Sequence, residues 1–228
     1  MELTHINLCN DIKRFLQETL KDKLQEEVDA YIRRNVCRDK KADEIITNNA
    51  VALLGLVKSA LIRNEKPIDV WAMQQYKIHK SDNQLEGLAD MYVFFRKSEF
   101  DCEFIIEASC GGMFSPFARN EPIERERNIR DAMKRGTKYY KCEQDYFSSS
   151  TYIVTMFFEP LHQNNMKDYE ELQLKRKPLS FHLKEYQLYN LPPYSFDFAE
   201  YQFYIFPKDS LLALSVYGQI KLVKWKNL

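Results

Sequence analysis

Asp90 and Glu107 stand in two stretches that otherwise read as apolar strands, LADMYVFFRK and CEFIIEASC, where packing favours Val or Ile. Residues two apart on a strand share a face. Glu103, Ile105, Glu107 and Ser109 therefore project one way, and Phe104, Ile106 and Ala108 the other. Asp90 opens the first strand, while Glu107 and Ser109 share a face near the C-terminal end of the second. The intervening SEFD reads as a turn, which makes the pair an antiparallel hairpin. Counted outward from Glu99, the two carboxylates meet within about one residue. Two carboxylates that close repel unless a shared proton or a cation relieves them. A divalent metal is the usual relief, and Mg²⁺ takes one or two carboxylates plus waters and phosphate oxygens. The same residues also suit plainer roles: Asp90 as a turn cap after Glu86-Gly87, and Glu107 as an exposed edge carboxylate.

The surrounding elements must position this pair. Residues 4–34 carry Ile12, Leu16, Leu20, Leu24, Val28 and Ile32 at spacings of three and four, which predicts an amphipathic helix. A second helix is expected over Ala42–Arg63, apolar over most of its girth and so packed on more than one side. IDVWAMQQYKIH (68–79) reads as a first strand, ahead of the hairpin. A helix follows from Ile123 to Lys141, with an apolar stripe of Ile129, Ala132, Met133, Gly136 and Tyr140, and then TYIVTMFFEP as a further strand. That helical connection makes the strands before and after it parallel. Beyond Pro160, SFHLKEYQLYNLPPYSF, YQFYIFP and LLALSVYGQIKLVKW read as more strands, or as a strand and a short helix.

Composition removes several alternatives. Lys+Arg and Asp+Glu are both 33, so any attraction for nucleic acid has to be local. It is local in the helix after the hairpin. There Arg125, Arg127, Arg130, Lys134, Arg135, Lys138 and Lys141 outnumber Glu124, Glu126 and Asp131. KYYK (138–141) adds aromatics able to stack on bases, although such a helix also serves as a solvated face paired with its own acids. Only 6 Gly in 228 residues argue against a phosphate-cradling loop. The 5 Cys include no CxxC pair, and His5, His79, His162 and His182 have no metal spacing. Cys110 before Gly111-Gly112 reads as a buried thiol, with a nucleophile as the weaker alternative. The N-terminus lacks a signal-peptide pattern and AVALLGLV is too short to cross a bilayer, so a soluble, cytoplasmic protein with no membrane partner is expected.

Strand-opening EGLAD, a strand ending in IIEAS, a basic helix and another strand resemble the PD-(D/E)xK nuclease superfamily, the restriction-endonuclease-like fold, over residues 42–158. The resemblance implies an α/β (α+β) single domain, 1–228, with a central mixed sheet flanked by helices. It would comprise an N-terminal helical segment (1–40), a nuclease-like core (42–158) and a C-terminal β-rich extension (165–228). Asp90 then takes the metal-binding Asp and Glu107 the acid of Glu-x-Lys, with Mg²⁺ or Mn²⁺ as cofactor. Glu44 is the helical Glu that assists, with Glu86 competing for that role. Ser109 stands where the family has Lys, so Lys138 or Arg135 would supply the missing cation. Arg127, Arg130, Lys134, Arg135, Lys138 and Lys141 would contact DNA. The implied activity is metal-dependent cleavage of DNA phosphodiesters, in restriction, repair or mobile-element defence. The alternative keeps the fold without catalysis, as a nucleic-acid-binding or protein-interaction module with a homo-oligomeric or protein partner.

Overall fold

In the computed structural model the elements are α1 (Asp22–Tyr31), α2 (Ala50–Ile62), β1 (Asp69–His79), β2 (Leu85–Lys97), β3 (Phe100–Cys110), α3 (Glu121–Glu143), β4 (Ser150–His162), β5 (Tyr194–Phe198), β6 (Tyr204–Ile205) and β7 (Leu211–Lys224). The structure describes residues 20–31, 34, 50–63, 69–80, 82, 84–97, 100–111, 121–162, 194–198, 204–205 and 211–224. The first part of the expected N-terminal helix, and residues 42–49 of the second, lie outside them.

The strands form one mixed sheet in the order β1-β2-β3-β4-β7-β5, with β6 also paired to β7. β3 and β4 are parallel, as expected across a helical connection, and the other pairs are antiparallel. β7 lies against β4, so the C-terminal strands join the same sheet. No helix among the described residues is long and apolar enough to cross a membrane.

The alternation read from CEFIIEASC holds. Phe104, Ile106 and Ala108 enter the main core with Leu53, Val57 and Leu61 of α2, while Leu24 and Val28 of α1 close that layer. Ile105 points to the opposite face, where Tyr139 and Tyr140 of α3 cover it. The sheet is thus a middle layer between α1–α2 and α3, an α/β arrangement that buries both faces. α2 packs on the sheet and on α1, yet Val51 and Ile62 are 45% and 53% exposed, so its apolar girth is not buried all round.

One boundary shifts. β2 begins at Leu85, so Asp90 lies inside the strand rather than opening it. The β1–β2 ribbon also contains an irregularity the sequence did not announce. Ala72 faces the α2 side, whereas Tyr76 and Ile78, of the same parity, face the α3 side. On β2, Met91 and Ala89 differ in the same way. The register runs through unbroken, from Gln74↔Met91 to Tyr76↔Ala89. Both strands therefore change face between these pairs, at Gln75 and Asp90. Gln75 has φ 52°, a left-handed conformation that costs a non-glycine residue about 1–2 kcal/mol. Backbone strain of this kind concentrates where a fold positions particular groups.

Candidate functional site

The β2–β3 ladder ends at Met91↔Ile106. Past that point β2 stays with β1, and β3 stays with β4 through Glu107↔Thr155 to Cys110↔Phe158. The strands part there, and Asp90 and Glu107 sit across from each other at the fork. Each carboxylate takes a main-chain donor of the opposite strand. Ala108 N–H donates to Asp90 Oδ2 at 2.7 Å, and Asp90 N–H donates to Glu107 Oε1 at 3.4 Å. The apolar pattern of these strands is thus broken where main-chain donors need acceptors that the ladder no longer provides.

Glu107 is 1% exposed. Burial first, and then the neighbouring Asp90 charge, push its carboxyl up to about 7, against the opposing pull of Arg135. Burial likewise raises Asp90, although the Ala108 N–H works in the other direction. Arg135 of α3 reaches down and holds Glu107 Oε2 through Nε at 3.0 Å. It can do so because the next residue is glycine. A Cβ on Gly136 would lie 2.5 Å from Ile153 Cγ2 and 3.5 Å from Glu107 Cγ. One turn further on, the Tyr139 hydroxyl lies over Gly87, only 2.7 Å from where a Cβ there would be. Burial raises the Tyr139 hydroxyl, with the Glu107 charge as the next cause.

Gly136→Ala measures how tightly this contact is drawn. Helix propensity favours Ala by about 1 kcal/mol. The Ile153 methyl belongs to a fully buried, branched side chain and cannot swing away, and overpacking of that kind costs about 1–3 kcal/mol. We expect net destabilisation of up to about 2 kcal/mol in urea unfolding, where a solvent-exposed helical glycine would give a gain.

The structure brings together Asp90, Glu107 and Arg135, and it sends the other proposed cation elsewhere. Lys138 pairs with Glu86, which Lys80 also holds at 3.0 Å. Glu86 lies on β2, not on a helix. Glu44 falls outside the described residues. Among the described residues, no group of three or more His, Cys, Asp and Glu gathers as a metal site. The donors present are therefore two hard carboxylates, with the Ser109 hydroxyl two residues along on the Glu107 face. That hydroxyl is buried and has no hydrogen-bond partner among the described residues. Two carboxylate oxygens and an orphaned hydroxyl fit a hard divalent cation that keeps several waters. They do not fit a structural zinc cage, which is closed by four protein ligands.

No protein-family model, no curated protein and no solved structure matches this chain.

Of the α3 cations proposed to contact DNA, Arg127, Arg130, Lys134 and Lys141 are exposed on the outer face of the helix. Lys134 is bound to Asp131 at 3.1 Å. Arg125 stacks instead over the Tyr217 ring at 4.2 Å. Cys110 is partly buried, and burial pushes its thiol up to about 11, which suits the buried-thiol reading and not a nucleophile.

Sequence reasoning placed Glu103 on the Glu107 face without assigning it a role. Its Oε1 accepts the main-chain N–H groups of Ser148 and Ser149, both at 2.9 Å, and its Oε2 accepts the Tyr92 hydroxyl at 2.8 Å. These donors come from the turn after α3 and from β2, so only the fold reveals them. The clue available in the sequence was the i, i+4 repeat of Glu on one face of an apolar strand. It marks buried carboxylates but does not tell an anchor from a site.

Proposed function

We propose that this chain is a metal-dependent nuclease-like protein acting on DNA phosphodiesters, with a role in restriction, repair or mobile-element defence. The observation that carries this reading is the meeting of half-buried Asp90 and buried Glu107 at the β2–β3 fork beneath a basic helix. Asp90 and Glu107 would hold Mg²⁺ or Mn²⁺. Bound there, such an ion polarises a phosphoryl oxygen and lowers the pKa of a water. The chain's own residues do the rest. Asp90 and Glu107 are fixed in place by main-chain N–H groups, so their oxygens need no reorganisation. Arg135 brings positive charge to the site, the role that the motif Lys would have at Ser109. Arg127, Arg130, Lys134 and Lys141 neutralise backbone phosphates along the exposed face of α3, a sequence-independent contribution to affinity.

Ser109 favours a second reading, in which the frame is kept without catalysis and the protein binds nucleic acid or a protein partner. Calorimetry with Mn²⁺ on the wild type and Glu107→Ala, followed by incubation of both with supercoiled and single-stranded DNA, separates the two. We expect the wild type to bind Mn²⁺ and nick DNA, and Glu107→Ala to lose binding and more than about a hundredfold in cleavage rate. Metal binding without cleavage selects the second reading. No Mn²⁺ binding by the wild type overturns the metal site itself.

A further inference from the structure

We propose that Arg135 is the resident counter-ion of the Asp90–Glu107 pair, and that a divalent cation enters the site by displacing it. The guanidinium is then released toward the substrate phosphate. This inference rests on the metal-site reading above and assigns its regulation.

The oxygens leave little choice. Asp90 Oδ2 is engaged by Ala108 N–H and Glu107 Oε1 by Asp90 N–H. The two oxygens free of main-chain donors are Asp90 Oδ1 and Glu107 Oε2, and Arg135 Nε already sits 3.0 Å from the second. Mg²⁺ has to approach a carboxylate oxygen to about 2.0–2.1 Å. A guanidinium on the same oxygen would then stand within a few ångströms of a doubly charged ion, where repulsion is strong. No other guanidinium or ammonium among the described residues pairs with either carboxylate. Lys138, the nearest alternative on α3, is committed to Glu86. On the flanking strands the positions level with the pair are Gln75 and Thr155, both neutral.

Release costs little on the arginine side. The Arg135 side chain is 47% exposed, so it is rehydrated as it leaves, whereas Glu107 at 2% stays behind and needs a new cation. The freed guanidinium is a planar fork of donors suited to two phosphate oxygens. At rest Arg135 thus offsets one of the pair's two charges, and metal and arginine then share the charge of a phosphodiester.

The test is Mn²⁺ calorimetry on wild type, Arg135→Met and Lys23→Met, the last removing a lysine on α1 as a charge control. It is paired with the ¹⁵N spectrum of the arginine Nε–H groups during Mg²⁺ titration of the wild type. The Arg135 resonance is assigned by its absence in Arg135→Met. We expect Arg135→Met to bind Mn²⁺ roughly five- to tenfold more tightly than wild type, the scale of losing one partly exposed ion pair. Lys23→Met should match the wild type. Saturating Mg²⁺ should shift the Arg135 Nε–H signal into rapid exchange with water. Binding by Arg135→Met alone overturns the displacement, because the cation then fails to enter while Arg135 holds Glu107. If the wild type binds metal and Arg135→Met binds equally or more weakly, the displacement is overturned while the metal site stands. An Arg135 Nε–H signal unmoved by saturating Mg²⁺ overturns it in the same way, without relying on the variant's folding. Failure of both wild type and Arg135→Met to bind overturns the metal reading, and the inference with it.

Discussion

Glu107→Gln should make the protein more stable above pH 7 by as much as about 3 kcal/mol, and leave it nearly unchanged below pH 4.5. The folded-state carboxyl titrates near 7, above its ordinary value of 4.5, because burial and Asp90 disfavour the anion more than Arg135 favours it. Between those values the native protein holds a proton that the unfolded chain has released. Unfolding then becomes progressively easier as pH rises from 4.5 to 7, and the loss levels off above 7. A shift of that size corresponds to about 3 kcal/mol at 1.36 kcal/mol per unit. Gln is isosteric with the protonated acid, so the variant avoids the cost at high pH and has nothing to gain at low pH. Urea unfolding at pH 4.5 and pH 8 reads the difference directly, provided the m value is unchanged. Equal stabilities at pH 8 would show that Arg135 fully compensates the buried charge. A residue retained at a cost to stability has the signature of a functional group.

Glu103→Ala should act in the opposite direction at every pH where the protein is folded, costing about 3–5 kcal/mol. Two main-chain N–H groups, Ser148 and the buried Ser149, would lose their acceptor, as would the Tyr92 hydroxyl. Each buried donor left unsatisfied costs about 1–3 kcal/mol, and the truncated side chain leaves a cavity besides. For a protein whose total stability is about 5–15 kcal/mol, that is a third or more of the margin. Glu103→Gln keeps one acceptor oxygen and should lose only about half as much. The midpoint of urea unfolding checks both variants. A loss below about 1 kcal/mol for Glu103→Ala would mean that water replaces the carboxylate in the turn after α3. Two glutamates four residues apart on one face of one strand are thus expected to differ in sign. Glu103 has a complete set of donors, and Glu107 shares its space with another carboxylate.

Local pattern carried much of the frame. The period of two in CEFIIEASC assigned Phe104, Ile106 and Ala108 to one layer and Ile105 and Glu107 to the other, because strand alternation follows from backbone geometry alone. The helix stripe of Ile129, Ala132, Met133 and Gly136 was equally legible and is buried as expected, while Tyr140, its last member, is partly buried. The turn at SEFD placed Asp90 opposite Glu107, since a hairpin's register is set close to its own turn. Boundaries were less legible: β2 runs back to Leu85 through Glu86 and Gly87, residues that read as turn.

What the sequence by itself determined, then, was which side chains of β3 share a face and the meeting of two carboxylates. Both depend on contacts between residues close in the chain. Only the tertiary structure decided which cation serves them. Arg135, Lys138 and Lys134 are equivalent in a helical pattern, but α3 rests on β4 at Gly136. That contact turns Arg135 onto Glu107, Lys138 onto Glu86 and Lys134 outward to Asp131. The left-handed Gln75, the parting of β2 from β3, and Glu103's partners 45 residues downstream were likewise settled by packing between distant segments. No local spacing encodes such contacts, because they depend on how helix and sheet surfaces fit together.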